Sequence, residues 1–286
     1  MGETLYLECA SGISGDMTVA ALLSLGADRE KLCEYLESMQ LEGFRIEISN
    51  VKKQGIEAVD FSVLLAGEGH THVDEVHADS GHTHVDEMHA DSGHTHANEV
   101  HAGSGHTHVA PHVHAHPHRN LYDVYEILDR LQTTQQVKEL AKKIFAVVAE
   151  AEAKVHGIGI EAVHFHEVGA VDSIVDIAAA AFCIVDLDID QVIIPKISEG
   201  SGHVKCQHGI LPVPVPAVLE IAAQSGIKLH LTDTKGEMIT PTGMAIAAAL
   251  RTSDRLPDEF SVKKIGIGAG KREYDKANIL RAMLLG

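Results

Sequence analysis

Aromatic side chains are scarce in this chain: its 286 residues include no Trp, and Phe, Trp and Tyr together make up only 4%. Hydrophobic residues nevertheless account for 45%, so we expect a core built mainly from Ala, Val, Ile and Leu. The longest apolar run, Ile174–Val185, is interrupted by Asp176 and falls short of the roughly 20 residues that span a bilayer. The sequence therefore predicts no membrane partner.

Cysteines are also few, since Cys9, Cys33, Cys183 and Cys206 are scattered without paired spacing. This pattern is typical of a reduced cytoplasmic protein and not of a disulfide framework. The N-terminus lacks a basic segment followed by a long apolar run, so no signal peptide is expected. Motifs of the GxSxG, HExxH and paired CxxC types are missing too, which leaves no hydrolase-type nucleophile and base to assign.

Basic charge is in short supply, and the formal net charge is -18. The segment Ala66–His118 holds eight of the 41 acidic residues and no Lys or Arg, which leaves 33 acids against 23 bases in the rest of the chain. An acidic body argues against binding of nucleic acids and of anionic membrane surfaces. It is compatible with a nucleotide that is held together with a cation.

Histidine, by contrast, is abundant, because a twelve-residue unit repeats between Gly69 and His118. Gly69–Ser80 has the sequence GHTHVDEVHADS, two similar copies follow, and a fourth opens as GHTHVAPHVHAHPH. This segment, the histidine repeat, contains 15 of the 21 histidines in the chain. They are His70, His72, His77, His82, His84, His89, His94, His96, His101, His106, His108, His112, His114, His116 and His118.

The HxH spacing lets a flexible chain offer two neutral imidazoles to one nickel, copper or zinc ion, and the intervening acids offset the charge of the metal. We therefore interpret the histidine repeat as a metal collector; the alternative is a solvated linker without a metal role. Its composition predicts no fixed structure in the absence of metal. The chain then divides into an N-terminal part of the body (residues 1–65), a disordered metal-binding insertion (66–118) and the remainder of the body (119–286).

Hydrophobic patterning outside the repeat predicts a compact body of the α/β (mixed α+β) class. The opening part follows the order β-α-α-β-β, with a strand at Thr4–Cys9 that leads into a glycine-rich turn. Farther along, the pattern predicts a strand over Gln191–Ile197, a loop over Gly200–Gly209 and a proline-punctuated extended segment over Leu211–Pro216.

The glycine-rich turn SGISGD lies between the first predicted strand and the first predicted helix. Its glycines let the backbone approach an anion closely, the helix N-terminus adds positive partial charge, and its serines can donate to phosphate oxygens. Asp16 and Glu8 can hold a hydrated divalent ion. The alternative is ordinary helix capping by Ser14 or Asp16. The residues assigned to this candidate anion site are Ser11, Gly12, Ser14, Gly15 and Asp16.

Two imidazoles and up to three carboxylates come together in the run HFHEVGAVDSIVD, at a predicted junction of strand and helix. His164 and His166 lie on one side of an extended segment, and Asp172 and Asp176, four residues apart, share a helix face. With Glu167 between them, these side chains have the composition of a metal or acid–base site. The alternative is a helix cap at Asp172 with surface histidines.

Three other segments are candidate sites. The run HVKCQH places Cys206 between His203 and His208, although a lone thiol more often packs as a small apolar residue. The run TPTG, preceding a predicted helix, is typical of capping but can also bind phosphate; its candidate residues are Thr240, Thr242 and Gly243. Gly266–Lys271 is a further candidate anion loop.

These segments together resemble the LarC family of nickel-insertion proteins. The matching motifs are SGISGDM at Ser11–Met17, AEAKVHG at Ala151–Gly157, HFHEVGAVDSIVDI at His164–Ile177, HGILPVPVPA at His208–Ala217, TPTG at Thr240–Gly243 and the final GIGAG-to-NILR stretch. The resemblance runs from Thr4 to Leu285, and the histidine repeat lies where the family carries such an insertion.

The resemblance implies a nickel insertase, that is, a chelatase or cyclometallase-type lyase. Such an enzyme places Ni(II) into pyridinium-3,5-bisthiocarboxylic acid mononucleotide, with CTP hydrolysis, to make the nickel-pincer cofactor of lactate racemase. Complete family members continue beyond the position of Gly286, and the resemblance implies that CTP, with Mg²⁺ or Mn²⁺, binds to that C-terminal part. We therefore expect this chain to need a C-terminal partner half; homo-oligomer formation stays open.

The resemblance also implies roles for the candidate residues. Asp172 and Asp176 are expected either to orient the ligand histidines or to hold Mg²⁺ or Mn²⁺ with the nucleotide. The phosphate of the precursor is expected near Ser11–Asp16 or near Thr240–Gly243. Family members often carry Asp at the position of Glu8, which keeps the carboxylate. The residues expected to hand nickel to the two thiocarboxylates are His164, His166, Glu167 and His208.

Two other functions stay open on the sequence. A nonenzymatic nickel storage or delivery protein predicts metal binding confined to the histidine repeat and no affinity for the precursor. A nucleotide-dependent transferase with an incidental histidine buffer predicts nucleotide turnover that does not need metal from the repeat.

Overall fold

A six-stranded mixed sheet, three two-stranded sheets and seven α-helices form the part of the chain that the computed structural model describes, residues 2–65, 119–165, 171–206 and 208–286. The predicted α/β class is confirmed. The strands are β1 (Glu3–Glu8), β2 (Phe44–Lys53), β3 (Ile56–Leu65), β4 (Arg119–Asn120), β5 (His164–Phe165), β6 (Ile189–Ile193), β7 (Ile197–Ser201), β8 (His203–Cys206), β9 (Gly209–Pro212), β10 (Leu229–Lys235), β11 (Val262–Ala269) and β12 (Ile279–Leu285). The helices are α1 (Gly15–Leu25), α2 (Arg29–Glu37), α3 (Leu121–Arg130), α4 (Gln135–His156), α5 (Val171–Asp186), α6 (Pro216–Ser225) and α7 (Pro241–Leu250), with a short 3₁₀ turn at Ile160–Ala162.

The main sheet has the strand order β2-β3-β11-β12-β1-β6. β1 runs antiparallel to β12 and parallel to β6, while β3 runs antiparallel to β2 and parallel to β11. The β2–β3 hairpin turns at Gln54 and Gly55, whose φ angles are both positive, at 48° and 83°. Two positive φ angles suit the right-handed twist of paired strands, so this turn sets the register of the hairpin.

Most residues of the three helices α1, α5 and α7 are buried. Their buried side chains are mostly Ala, Val, Ile and Leu, as the scarcity of aromatics predicted. α1 packs against the sheet and α5, and the long α4 packs against α5, α6 and α7. Because these helices are enclosed by packing, their first turns are held in fixed positions.

Two glycines of β11 permit the close packing of α1 on the sheet. A Cβ atom at Gly266 would lie 2.2 Å from the carbonyl oxygen of Ala21, and one at Gly268 would lie 2.1 Å from that of Met17. The prediction of an anion loop at Gly266–Lys271 is therefore wrong for Gly266 and Gly268, since both belong to β11 and make room for a helix.

The segment after β6 differs from the prediction. The expected single strand Gln191–Ile197 is two strands, because β6 ends at Ile193 and β7 begins at Ile197 beside β10. The expected loop Gly200–Gly209 is also wrong, since β8 and β9 form an antiparallel hairpin in which Cys206 faces Gly209. Four-residue strands punctuated by glycine carry too little periodicity to be recognised from sequence.

The histidine repeat and its predicted disorder lie outside the described residues. On either side of that gap, β3 ends at Leu65 and β4 begins at Arg119, where it pairs with β5. The described residues before and after the gap belong to one compact unit. Among them, no helix combines the length and the apolar character that crossing a membrane requires.

Candidate functional site

A cavity of ≈ 720 Å³ lies among α1, α4, α5, α6, α7, β3 and the β8–β9 hairpin. Its volume falls within the roughly 300–1,000 Å³ of small-molecule sites. The first turns of four helices contribute to its wall, through Gly15, Asp172, Pro216 and Pro241. A helix N-terminus carries unsatisfied N–H groups and positive partial charge, so these four helix starts favour an anion, whereas Asp16, Asp172 and Asp176 add negative charge to the same lining.

The two segments predicted as alternative phosphate sites lie side by side. The N–H of Ile13 donates to the carbonyl of Met238 at 3.0 Å, and the N–H of Thr240 donates to the carbonyl of Ile13 at 3.1 Å. Gly12, at φ +86°, and Gly243 allow this approach, since added Cβ atoms would lie 1.9 Å from the Met238 oxygen and 2.3 Å from the Ile13 oxygen. The two predicted sites are thus one continuous wall.

The hydroxyl groups of this wall have distinct partners. Thr240 caps α7 by accepting from the N–H of Gly243 at 3.1 Å, and Thr242 donates to Ser173 at 3.4 Å; both threonines line the cavity. Ser14 also lines it. Ser11 does not, because its buried hydroxyl donates to the carbonyl of Ala277 at 2.9 Å. Gly12 and Gly243 likewise shape the wall from behind it.

A pair of carboxyl groups, Asp16 and Asp176, lies at the base of α1 and lines the cavity. The absence of a side chain at Gly15 makes room for the pair, since a Cβ there would lie 2.4 Å from Oδ2 of Asp176. Ser14 donates to Oδ1 of Asp16, and so does the N–H of Met17 at 2.8 Å. Oδ1 of Asp176 is shielded from solvent and has no hydrogen-bond partner among the described residues.

Burial raises the pKa of Asp176 well above its usual range, and the charges of Asp16 and then Asp172 raise it further. Burial also raises the pKa of Asp16, opposed by the hydrogen bond from Ser14 and the charge of Lys271. The two carboxyls therefore compete for a proton or a cation, because a pair of buried like charges is costly. A metal ion or a cationic ligand group would relieve this cost.

Replacing Asp176 with Asn is expected to stabilise the folded chain at neutral pH by about 1–3 kcal/mol, because the amide cannot acquire the buried negative charge that lies beside Asp16 and Asp172. A raised folded-state pKa means that wild-type stability is complete below the ordinary Asp pKa, near 4, and is lost as the pH rises through the folded-state value. The advantage of Asp176→Asn should therefore grow from pH 4 upwards.

Urea denaturation between pH 4 and pH 8 measures this effect. The exposed Asp233 gives the matched control, and Asp233→Asn should change the free energy of unfolding by less than about 0.5 kcal/mol. A stability difference for Asp176→Asn that does not vary with pH would show that its carboxyl is not strained by ionisation.

Two cations border the same wall. The ammonium of Lys271 lies 2.6 and 2.7 Å from the carboxylate oxygens of Asp60 and 2.5 Å from the hydroxyl of Ser62. Arg272 donates to the carbonyl of Glu237 at 2.8 Å and to its carboxylate at 3.2 Å. These contacts hold both positive groups at the lining of the cavity, where they add to the attraction of the helix N-termini.

A buried carboxylate that the sequence did not single out, Glu199, positions the loop before α7. One of its oxygens accepts from the N–H groups of Gly200 at 2.8 Å, Met238 at 2.7 Å and Ile239 at 3.2 Å. Glu199 is fully buried, and burial raises its pKa. It fixes the backbone that presents Thr240 to the cavity.

Glu8 does not join Asp16 at an ion site, contrary to the prediction. Its carboxylate pairs with Arg281 across the β1–β12 ladder and is absent from the cavity lining. The sequence alone could not show this, because the pairing depends on which strand lies beside β1.

Another part of the cavity lining carries imidazoles. His208 of the β8–β9 hairpin and His156 at the end of α4 both line it, with ring centroids 5.1 Å apart. Nε2 of His156 lies 3.3 Å from the carboxylate of Glu152, one turn earlier in α4. Cys206 lines the cavity beside them. His156 and Glu152 were missed from the sequence, although the AEAKVHG motif contains both.

Some of the predicted metal ligands lie outside the residues that the structure describes. His166, Glu167 and the histidine repeat lie outside the described residues, and of His164 only the backbone, in β5, is described. Asp172 and Asp176 both line the cavity, on one face of α5. Within the described ranges, no group of three or more His, Cys, Asp or Glu side chains forms a closed metal site.

The chain is an α/β protein whose cavity is lined by helix N-termini, by basic groups and by side chains of types that bind metals. A family model described as nickel insertion protein matches residues 5–286. The chain belongs to the nickel insertion protein family, and the resemblance seen in the sequence is confirmed.

Three relatives named pyridinium-3,5-bisthiocarboxylic acid mononucleotide nickel insertion protein show the likeness. The protein of Alkaliphilus metalliredigens is 52% identical over 286 residues, covering 100% of this chain and 61% of the relative. Those of Acetivibrio thermocellus and Akkermansia muciniphila are 37% and 38% identical, covering 98% and 99% of this chain and 60% of each relative. This chain thus spans about 60% of the length of these relatives. No solved structure matches it.

Proposed function

We propose that this chain provides the precursor-binding and metal-transfer part of a nickel insertase for pyridinium-3,5-bisthiocarboxylic acid mononucleotide. The product is the nickel-pincer cofactor of lactate racemase, and the activity is of the lyase, cyclometallase type. The observation that carries the proposal is a cavity whose lining combines helix N-termini and basic side chains with the neighbouring imidazoles of His156 and His208. The names of the relatives, and the membership of the nickel insertion family, support it.

The chemistry of the precursor fits this arrangement. A mononucleotide phosphate and two thiocarboxylates are anions, and helix N-termini with flanking cations favour anions. We place the phosphate at the wall formed by Ser14, Gly15, Thr240 and Thr242, which the structure makes continuous. Lys271 provides the adjacent positive charge.

A cation would relieve the repulsion within the carboxyl pair. We propose that Asp16 and Asp176, with Asp172 nearby, hold Mg²⁺ or Mn²⁺ together with a nucleotide. The solvent-shielded Oδ1 of Asp176 is the atom that such an ion would satisfy. CTP itself is proposed to bind through a C-terminal partner half of the same family, and its hydrolysis makes insertion irreversible.

Nickel is the substrate that the protein handles. We propose that the histidine repeat collects Ni(II) and that His208, with His164, His166 and Glu167, passes it to the sulfur atoms of the precursor. Of these four residues, His208 is the one whose position at the cavity is described. A cytoplasmic location, where thiols stay reduced, suits this chemistry.

An omission experiment tests the proposal. The chain, Ni(II), the precursor, CTP with Mg²⁺ and the C-terminal part of a family member are combined, and the nickel-containing product is detected by mass spectrometry. Product should form in the complete mixture and fall to background without this chain, and Asp16→Asn should lower its rate at least tenfold. Equal product formation without this chain would contradict the proposal and favour nickel storage.

A further inference from the structure

We propose that His156 and His208 form a two-imidazole nickel site at the border of the cavity, with Glu152 as the carboxylate that orients His156. The inference deepens the proposed function and rests on it, because it names where the metal waits before transfer. It adds two residues of α4, His156 and Glu152, to which the sequence gave no role. Three observations carry it.

The first observation is the geometry of the rings. Two imidazoles that bind one ion through bonds of about 2.1 Å place their ring centroids about 4.5–5.5 Å apart. The centroids of His156 and His208 are 5.1 Å apart, and the planes are tilted by 35° instead of stacked in parallel. The histidines come from separate elements, the end of α4 and the β8–β9 hairpin, so only the fold brings them together.

The second observation is the carboxylate partner. The carboxylate of Glu152 lies 3.3 Å from Nε2 of His156, and the side chain of Glu152 is only 18% exposed. Histidines that bind metals commonly keep a carboxylate or carbonyl at one ring nitrogen, which fixes the ring and increases its basicity. Glu152 also lines the cavity, so the orienting group belongs to the same wall.

The third observation is the position of the pair. His156 and His208 are exposed residues that also line the cavity, so the site faces both solvent and bound ligand. The described residues contain no closed metal site of three or more protein ligands. Two imidazoles leave two positions of a four-coordinate Ni(II) for the two sulfur atoms of the precursor, which suits a site that passes the metal on.

Residue-resolved chemical protection tests the site in the full chain. Diethyl pyrocarbonate modifies exposed histidines, and peptide mass spectrometry reports each one separately, so metal bound by the histidine repeat does not obscure the result. Ni(II) alone should slow the modification of His156 and His208 at least fivefold. His203, in the same hairpin but outside the cavity lining, should react at an unchanged rate. Equal protection of the three histidines, or protection of none of them, would show that His156 and His208 do not form a nickel site.

A kinetic experiment separates this inference from the proposed function. His156→Gln with His208→Gln should raise the nickel concentration for half-maximal insertion by about 10–100-fold. The affinity for the precursor should change less than threefold, and His203→Gln should leave both quantities unchanged. A double variant with an unaltered nickel requirement would show that the two rings merely pack together and that His208 does not pass nickel, whereas the proposed binding of the precursor in the cavity would stand. If the wild-type chain does not bind the precursor, the proposed function is wrong. The diethyl pyrocarbonate experiment would then still show whether His156 and His208 bind nickel.

Discussion

Replacing Gly12 with Ala is expected to destabilise the fold by about 3–5 kcal/mol, because it combines backbone strain with steric overlap. Gly12 has φ +86°, and an added Cβ would lie 1.9 Å from the carbonyl oxygen of Met238. The overlap forces apart the two segments joined by the hydrogen bond from Ile13 to Met238. Binding of the precursor should be lost with the wall that these segments form.

Gly55 provides the matched control, since its φ is +83° and an added Cβ would meet nothing within 4 Å. Gly55→Ala therefore carries the backbone strain alone, about 1–2 kcal/mol. Urea denaturation followed by far-ultraviolet circular dichroism measures both variants. Equal losses of stability would show that the contact between the Gly12 turn and Met238 does not exist in solution.

Replacing Lys271 with Ala is expected to weaken the binding of the precursor by about 10–100-fold, the value of a charge-assisted hydrogen bond of about 1.5–3 kcal/mol. The variant also leaves the carboxylate of Asp60, which Lys271 neutralises, near the cavity. The loss should diminish as salt concentration rises, because screening reduces the attraction that the wild-type ammonium exerts on an anion.

Lys263 is the control for this variant. Its ammonium also pairs with a carboxylate, that of Glu3 at 2.8 Å, and its side chain is 50% exposed against 48% for Lys271. Lys263 does not line the cavity, so Lys263→Ala should leave the affinity for the precursor unchanged. Calorimetric titration of the precursor compares the two variants. Equal affinities of the two variants for the precursor would show that Lys271 does not contribute to the binding site.

The predictable parts of the fold were those with strong local signals. The predicted opening order β-α-α-β-β is found as β1-α1-α2-β2-β3, and the predicted helix that carries Asp172 and Asp176 is found as α5. The β8–β9 hairpin and the packing of α1 on Gly266 and Gly268 were not predictable. The sequence cannot distinguish a glycine that gives a loop conformational freedom from a glycine that makes room for a packed helix. Only the position of α1 shows which role these two glycines have.

The same division applies to the site. Helix-start motifs identified Ser14, Asp16 and Thr240 because first turns leave local signatures. The sequence could not show that the turns before α1 and α7 are neighbours, since more than 200 residues separate them. His156 and Glu152 escaped notice for a related reason. Their partner His208 lies on a hairpin that becomes their neighbour only after folding.

The central claim is that the body of the protein, and not only the histidine repeat, holds nickel together with the precursor. The most direct test is a nickel titration against a competing chelator, for the full chain and for a variant lacking residues 69–118, each with and without the precursor. We expect the shortened chain to keep one tight nickel site that appears or strengthens when the precursor is bound. Loss of all tight nickel binding on deletion, even with the precursor present, would contradict the claim and make this chain a metal collector.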